Sequence, residues 1–439
     1  MSDNVLHTPP RVGILTFHFA RNYGAVLQCY ALQQTLWALG FEAGVIDYRP
    51  RSIAKGYKMV DIKRFWGRTP SKFLRKTRRE LQVLGSRRAR FGAMEDFVQK
   101  RLCLVSAEDC DTVIVGSDQV WNPALTDGKM DRWYWGQALK GKHLISYAVS
   151  MENGLQLLKD EQLREALERF GAVSLREGTA LERARSLRQD ACQCCDPVLL
   201  PDVRLWKSLA ATSRICEELG EYLLYYQVRK STEGLEMAQR LSAARGLRLI
   251  ILSAKVEDEN SPEVAAASPE DFLALLLGAS FVLTTSFHGC AFSVLLHRPF
   301  LALSLGDGRD SRIAGLLQQI GLQSRSISLA AGSAGYAEST HSAGSSWSAE
   351  STQSARSAGF AESAGSTGSP VPEARSGSSA HSPASGSGSL ADIVIKSAAD
   401  AANAAIDWQA VDSRLSEIVG PSREFLLKNI RIFNPNTNL

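Results

Sequence analysis

The sequence lacks long apolar runs, an apolar leader and a large excess of one charge. No run approaches the ~20 residues of a membrane-spanning helix, and the residues that follow Met1 (Ser2, Asp3 and Asn4) are polar, unlike a secretory signal. The formal net charge of +4 is too small to indicate a nucleic-acid partner. From these absences we expect a cytoplasmic protein that does not bind nucleic acid.

Cysteine is sparse, with eight residues among 439, and without an export signal these indicate reduced thiols. Cys192, Cys194 and Cys195 lie close together in the sequence. They lack the paired Cys-x-x-Cys spacing of a zinc knuckle, and no second half-site lies nearby. A structural zinc is the alternative, but we predict no metal and no cofactor.

Short apolar runs of strand type alternate with segments of helical spacing, which predicts parallel sheets covered by helices. One series includes residues 12–17, 44–48, 112–115 and 144–148. A second series begins near residue 201 and includes residues 222–227, 247–252, 281–285 and 300–303. We therefore predict an α/β fold with two Rossmann-like lobes facing a cleft.

The predicted organisation has four parts. Residues 1–200 form an N-terminal lobe, 201–329 a C-terminal lobe, 330–390 a disordered Ser/Ala/Gly-rich insertion, and 391–439 a strand and helices that complete the fold. Residues 51–101 form a basic helical insertion with sixteen Lys and Arg against four Asp and Glu. This insertion is either a solvated helical face or a cationic contact for a membrane surface or a lipid-linked acceptor.

Polar clusters follow three of the apolar runs, at residues 116–118, 174–176 and 286–289. Ligands of open α/β sheets bind at the carboxyl ends of the strands, so we expect these clusters to share a site. A turn at residues 22–24 precedes a helix, where backbone N–H groups favour anions.

Four side chains in these regions suggest chemistry. His288 could act as a general acid or base near neutral pH, or be a structural histidine. Arg176 and Arg312 could each clamp an anion by two parallel hydrogen bonds, although a surface ion pair is the commoner fate of an arginine. Asp118 could orient an acceptor hydroxyl or cap the following turn.

Five motifs follow one another along the chain: NYGAVLQCYAL at 22–32, GSDQVWN at 116–122, SLRE at 174–177, TTSFHG at 284–289 and DSRIAGLL at 310–317. Together and in this order they resemble the motifs of the polysaccharide pyruvyl transferase family. The resemblance implies a fold like that of two-lobed glycosyltransferases (GT-B). It also implies phosphoenolpyruvate as donor, and a cell-surface glycan or its lipid-linked precursor as acceptor.

The resemblance and the clusters together give the candidate site. The predicted catalytic residues are His288, Arg176 and Asp118. The predicted substrate-binding residues are Asn22, Tyr23, Gly24, Ser117, Asn122, Ser286, Gly289 and Arg312.

One position departs from the family pattern. Many members carry an arginine two residues before the histidine, where this chain has Ser286. Arg312 and Arg21 are candidates to supply the missing contact to the donor anion. Two other functions remain open: a nucleotide-sugar glycosyltransferase of the same architecture, and a non-catalytic glycan-binding or scaffolding protein.

Overall fold

The computed structural model describes residues 11–54, 70–306, 310–329 and 390–431. Residues 55–69 of the basic insertion lie outside these ranges, and so does the Ser/Ala/Gly-rich insertion of 330–390 except for its last residue. The described chain is α/β with two parallel sheets, as predicted.

The first sheet has seven parallel strands in the order β3-β2-β1-β4-β5-β6-β7. The strands are β1 (Arg11–Leu15), β2 (Glu42–Ile46), β3 (Leu104–Val105), β4 (Thr112–Asp118), β5 (His143–Val149), β6 (Ala172–Leu175) and β7 (Cys192–Gln193). Its strands β1, β4, β5 and β6 are almost wholly buried, because helices cover both faces of the sheet.

Within residues 11–54 and 70–200, the helices of this N-terminal lobe are α1 (Tyr23–Ala38), α2 (Arg51–Ala54), α3 (Pro70–Arg101), α4 (Asp160–Leu167) and α5 (Gly178–Leu187). The basic stretch is thus helical over α2 and α3, as the sequence indicates. Its contact with a membrane surface stays a prediction.

The second sheet has five parallel strands in the order β12-β11-β10-β8-β9. They are β8 (Tyr222–Gln227), β9 (Arg248–Ser253), β10 (Phe281–Thr284), β11 (Phe300–Ser304) and β12 (Ser326–Ser328). The helices of this lobe are α6 (Val203–Ala210), α7 (Thr232–Ala244), α8 (Pro269–Gly278), α9 (Phe287–Leu295) and α10 (Ser311–Gln319).

The C-terminal segment corrects one prediction, because it adds two helices and no strand within residues 390–431. These are α11 (Leu390–Asn403) and α12 (Trp408–Arg431). The β-branched run at 393–395 suggests a strand, but the alanine-rich residues that follow it favour a helix. The helix α11 packs against β11 and β12, and β12 is the edge strand of the described sheet.

Two connections hold the lobes together around the cleft. From α3, Arg90 donates hydrogen bonds to the carbonyl oxygens of Ala265 (2.8 Å) and Ser253 (2.7 Å) in the C-terminal lobe. From α12, the Ser422 hydroxyl accepts a hydrogen bond from the Cys195 backbone N–H (2.9 Å) in the N-terminal lobe. These connections fix the distance between groups that face each other across the cleft.

None of the helices in the described ranges is long and apolar enough to cross a membrane. The described residues likewise contain no group of three or more His, Cys, Asp or Glu side chains that could hold a metal ion.

Candidate active site

A cavity of about 230 Å³, here called cavity A, opens between the two lobes at the carboxyl ends of their strands. Its polar wall is built from both lobes and comprises Asn22, Asp118, Gln119, Arg229, Ser286, His288 and Arg312. Cavity A therefore lies where ligands of parallel α/β sheets bind.

His288 lies in the first turn of α9. Ser286 is the N-cap of this helix, and its hydroxyl accepts a hydrogen bond from the Gly289 N–H at 3.3 Å. The imidazole is buried, with a residue exposure of 7%, and contributes to the wall of cavity A.

Gly24 of the N-terminal lobe packs directly against this imidazole. A β-carbon at position 24 would lie 2.0 Å from His288 Nδ1 and 2.4 Å from its Cγ. Only glycine leaves room for the ring here, since its backbone can approach a neighbouring group closely. The motif at residues 22–32 therefore leaves room through Gly24, and His288 of the motif at residues 284–289 occupies that room.

On its other side, His288 faces a buried carboxylate. Its Nε2 lies 3.6 Å from Oδ2 of Asp196, a charge contact that is too long for a hydrogen bond. The same oxygen accepts a hydrogen bond from Arg176 Nη1, and Arg176 Nη2 lies 3.7 Å from Oδ1 of Asp118. Asp196 also caps the turn that follows it, by accepting from the Val198 N–H at 3.0 Å.

The charges of this cluster stabilise one another. Burial alone would raise the pKa of Asp196, but the neighbouring His288 and Arg176 outweigh it and hold that pKa well below its usual range. Burial would likewise lower the pKa of Arg176, but Asp196, Glu177 and Asp118 raise it. The site therefore keeps an ionised carboxylate beside Nε2 of the imidazole.

A second ion pair borders cavity A through Arg229, which lines it. Arg229 donates to Asp310, which also accepts from the Ser304 hydroxyl at 2.6 Å and from the Gly306 N–H at 3.2 Å. Burial would raise the pKa of Asp310, but Ser304 and Arg229 lower it. Asp310 is the N-cap residue of α10 by position, two residues before Arg312 on the same helix.

A family model of polysaccharide pyruvyl transferases matches residues 22–307, which include both sheets' central strands and the whole histidine motif. The chain belongs to the polysaccharide pyruvyl transferase family. Membership assigns it a transferase class that acts in polysaccharide synthesis. No curated protein matches the chain.

Solved structures resemble the chain only distantly. The E. coli heptosyltransferase WaaC, with ADP-2-deoxy-2-fluoro heptose, is 18% identical, with 67% of this chain and 89% of that chain covered and a TM-score of 0.30. The UDP-GlcNAc 2-epimerase of Neisseria meningitidis, bound to UDP-GlcNAc, is 10% identical over 70% and 85%, with a TM-score of 0.38. The UDP-N-acetylglucosamine 2-epimerase of Rickettsia bellii is 11% identical over 69% and 80%, with a TM-score of 0.37. Likenesses at these scores indicate nothing about the substrates of this chain.

In this pyruvyl transferase family member, Arg176 is already engaged by protein carboxylates. The sequence suggests a clamp for a substrate anion, but the guanidinium lies within the Asp196–Asp118 pair and is 4% exposed. It does not belong to the wall of cavity A. Its observed partners make it a structural support for the cluster.

Asn22 also differs from its predicted role. Its side-chain oxygen accepts hydrogen bonds from the N–H groups of Gly24 (2.9 Å) and Ala25 (3.4 Å). The turn therefore does not offer these N–H groups to an anion, although Asn22 does line cavity A. The feature of this turn that can still attract an anion is the positive end of the α1 helix dipole.

Five predicted substrate-binding residues are not part of the wall of cavity A: Gly24, which packs against His288, and four others. Tyr23 donates to the Ala267 carbonyl across the lobes, and Ser117 donates to the Ala148 carbonyl. Asn122 caps the turn after it, and Gly289 packs against Thr284. These four hold the loops and helices of the site in place.

Of the two candidates for the missing arginine contact, Arg21 stacks on Phe91, with its guanidinium carbon 3.8 Å from the ring centroid. Arg312 does line cavity A. Sequence reasoning missed Arg229, which also lines it and closely follows β8, where the polar-after-strand signal could have revealed it.

Sequence reasoning also missed Asp196, although it follows the short edge strand β7 as the other clusters follow theirs. Only the Asp-Pro turn at 196–197 marks it in the sequence. Its importance comes from packing, because it is the group that joins Arg176 to His288.

A second cavity, cavity B, has a volume of about 270 Å³ and lies on the other side of Phe287 and Arg312, which line both. Its wall includes Arg176, Gly178 and Asp196 of the N-terminal lobe, Gly315 and Gln319 of α10, and Glu417 of α12. The Asp196 cluster therefore lies between two cavities.

Proposed function

We propose that the protein transfers a pyruvyl group from phosphoenolpyruvate to paired hydroxyls of a sugar in a cell-surface polysaccharide or its precursor. The product is a cyclic ketal, and phosphate is released. The observation that carries the proposal is the His288 imidazole, buried in the wall of an interlobe cavity that also contains two arginines. Family membership supports pyruvyl transfer.

Cavity A suits a small anionic donor. Arg229 and Arg312 can hold carboxylate or phosphate oxygens, and the N-terminal ends of α1 and α9 add positive potential at the same edge. The cavity of about 230 Å³ falls below the roughly 300–1,000 Å³ of pockets for larger organic ligands. Phosphoenolpyruvate fits this description better than a nucleotide sugar does.

In the proposed reaction, protonated His288 gives its proton to the methylene carbon of phosphoenolpyruvate, which becomes a methyl group. The cationic C2 then accepts a sugar hydroxyl oxygen, and that hydroxyl returns a proton to the imidazole. Asp196, ionised beside Nε2, stabilises the imidazolium during this exchange. General acid–base catalysis of this kind contributes ~10²–10⁴-fold in rate.

The second half of the reaction closes the ketal. The C2–O bond to phosphate breaks, the second sugar hydroxyl attacks C2, and its proton leaves with the phosphate. Arg229 and Arg312 stabilise the charge that develops on the departing phosphate. Asp118, in the wall of cavity A, positions the attacking hydroxyl. This chemistry requires phosphoenolpyruvate as co-substrate and no further cofactor.

The direct test is incubation with phosphoenolpyruvate and a panel of glycosides, followed by phosphate measurement and mass spectrometry. We expect phosphate release that depends on a glycoside, which gains the mass of pyruvate less one water. His288→Ala should remove this activity, and His297→Asn, just past the C-terminal end of the same helix, should retain it. Near-normal turnover of His288→Ala would exclude the proposed proton transfer.

A further inference from the structure

Cavity B is a space that neither the family match nor the donor chemistry explains. It is bounded by the Asp196 cluster, by α10 and by α12, and the shared residues Phe287 and Arg312 separate it from cavity A. The Phe287 ring lies between Arg176, whose guanidinium carbon is 5.1 Å from its centroid, and His288, whose ring centroid is 5.3 Å away. A ligand in cavity B would thus contact Asp196 and Phe287, which adjoin the reacting histidine on the side away from the donor.

The charges around cavity B disfavour a polyanion. Its wall holds Arg176 and Arg312 against three acidic residues, Glu177, Asp196 and Glu417. Cavity A shares Arg312 and adds Arg229, against one acidic residue. The excess of carboxylates in cavity B therefore disfavours an anionic ligand, whereas cavity A favours one.

The other groups of cavity B match a sugar ring. Gln193, Gln319 and Ser311 can donate to and accept from hydroxyl groups, while Leu316, Ile418 and Pro421 offer an apolar surface to the C–H face. Arg176 borders the cavity, and its Nη1 donates to Asp196, so the guanidinium holds that carboxylate in the cavity wall.

Two glycines keep cavity B open, one from each lobe. Gly178 starts α5 and Gly315 lies inside α10. A β-carbon at either position would meet no atom within 4 Å, and neither residue has the positive φ that requires glycine. Because glycine weakens a helix, its presence inside α10 needs another reason. Because glycine has no side chain, both positions leave space in the wall of cavity B.

We propose that cavity B binds the sugar unit that accepts the pyruvyl group, as a neutral monosaccharide ring held against the Asp196 cluster. The role of acceptor rests on the proposed function, whereas the binding of a neutral sugar does not. The donor then occupies cavity A, and the acceptor hydroxyls extend from cavity B past Phe287 and Arg312, which line both cavities, toward Asp118 and the donor.

Saturation-transfer NMR with four probes tests the proposal: the methyl pyranosides of β-glucose, β-galactose, α-mannose and N-acetyl-β-glucosamine. We expect saturable binding of at least one. Filling the cavity with Gly315→Leu or Gly178→Leu should weaken that binding at least tenfold. Gly92→Leu, on an exposed face of α3 with equally open space, is the matched control and should bind normally.

Thermal stabilisation by phosphoenolpyruvate, measured on the same variants, separates this proposal from the proposed function. Stabilisation should be unchanged in Gly315→Leu and Gly178→Leu, which also shows that both variants fold. If no glycoside binds, or if binding survives both substitutions, the acceptor site is not cavity B. If glycosides bind there but phosphoenolpyruvate does not stabilise the protein, the proposed donor fails while the sugar site stands.

Discussion

Gly24 and the imidazole of His288 pack against each other across the two lobes. They are so close that a β-carbon on Gly24 would lie 2.0 Å from Nδ1 of His288. Gly24 belongs to the first turn of α1 and His288 to the first turn of α9. This contact aligns the two lobes and sets the orientation of the histidine that we assign to proton transfer.

Gly24→Ala is therefore expected to impair catalysis while the helix itself gains from alanine. The new methyl group displaces the imidazole, so phosphate release should fall by about 10² or more, the lower end of what a general acid contributes. Steady-state assays with far-UV circular dichroism check this. Gly420→Ala, inside α12 with open space around the new carbon, should keep full activity. Equal activity in both variants would show that the contact does not matter.

Arg229→Gln tests the donor end of cavity A. Loss of a charge-assisted hydrogen bond, worth about 1.5–3 kcal/mol, should raise the KM for phosphoenolpyruvate about tenfold or more. Arg229→Lys should restore part of the affinity because it keeps the charge. Arg204→Gln, whose side chain is 85% exposed beside Asp202, is the control. An unchanged KM in Arg229→Gln would remove this residue from the donor site.

Arg176→Gln separates structural support from substrate clamping. It leaves Asp196 buried without its cation, and such a loss typically costs about 3–5 kcal/mol of unfolding free energy. Urea denaturation should show this loss, with the matched Arg204→Gln variant unaffected. Normal stability combined with a raised KM for phosphoenolpyruvate would instead favour the clamp that the sequence suggests.

The buried carboxylate also predicts a dependence of stability on pH. The pKa of Asp196 is lower in the folded protein than the value of about 3.9 in an unfolded chain. Its contribution is therefore complete above about pH 4 and is lost as pH falls through the folded-state pKa. Between pH 7 and pH 3, the free energy of unfolding measured with urea should fall less in Asp196→Asn than in the parent protein. Equal decreases in the two proteins would contradict the low folded-state pKa of Asp196.

The sequence predicted the architecture well because strands buried on both faces appear as continuous apolar runs. It did not reveal β3, β7 or β12, because strands of two or three residues carry no periodic signal. At residues 393–395 the local signal was strong but wrong. Three β-branched residues in a row resemble a strand, but the alanines that follow them favour the helix that is observed.

The candidate site was only partly predictable. His288, Asp118, Asn22, Ser286 and Arg312 do meet in cavity A, since each follows a strand or begins a helix at the same edge of the sheets. The sequence did not show which hydrogen-bond or ion-pair partner each polar side chain has, because these partners are set by packing between distant segments of the chain. Asp196 pairs with a residue twenty positions earlier and lies beside one from the other lobe.

The most direct test of the proposed donor is thermal unfolding in the presence of phosphoenolpyruvate or UDP-N-acetylglucosamine. We predict that phosphoenolpyruvate raises the melting temperature, with about 2.7 kcal/mol of added stability at 100 times its Kd. We predict that Arg229→Gln weakens this effect and that the nucleotide sugar has none. Stabilisation by the nucleotide sugar alone would contradict pyruvyl transfer from phosphoenolpyruvate and would favour a glycosyltransferase.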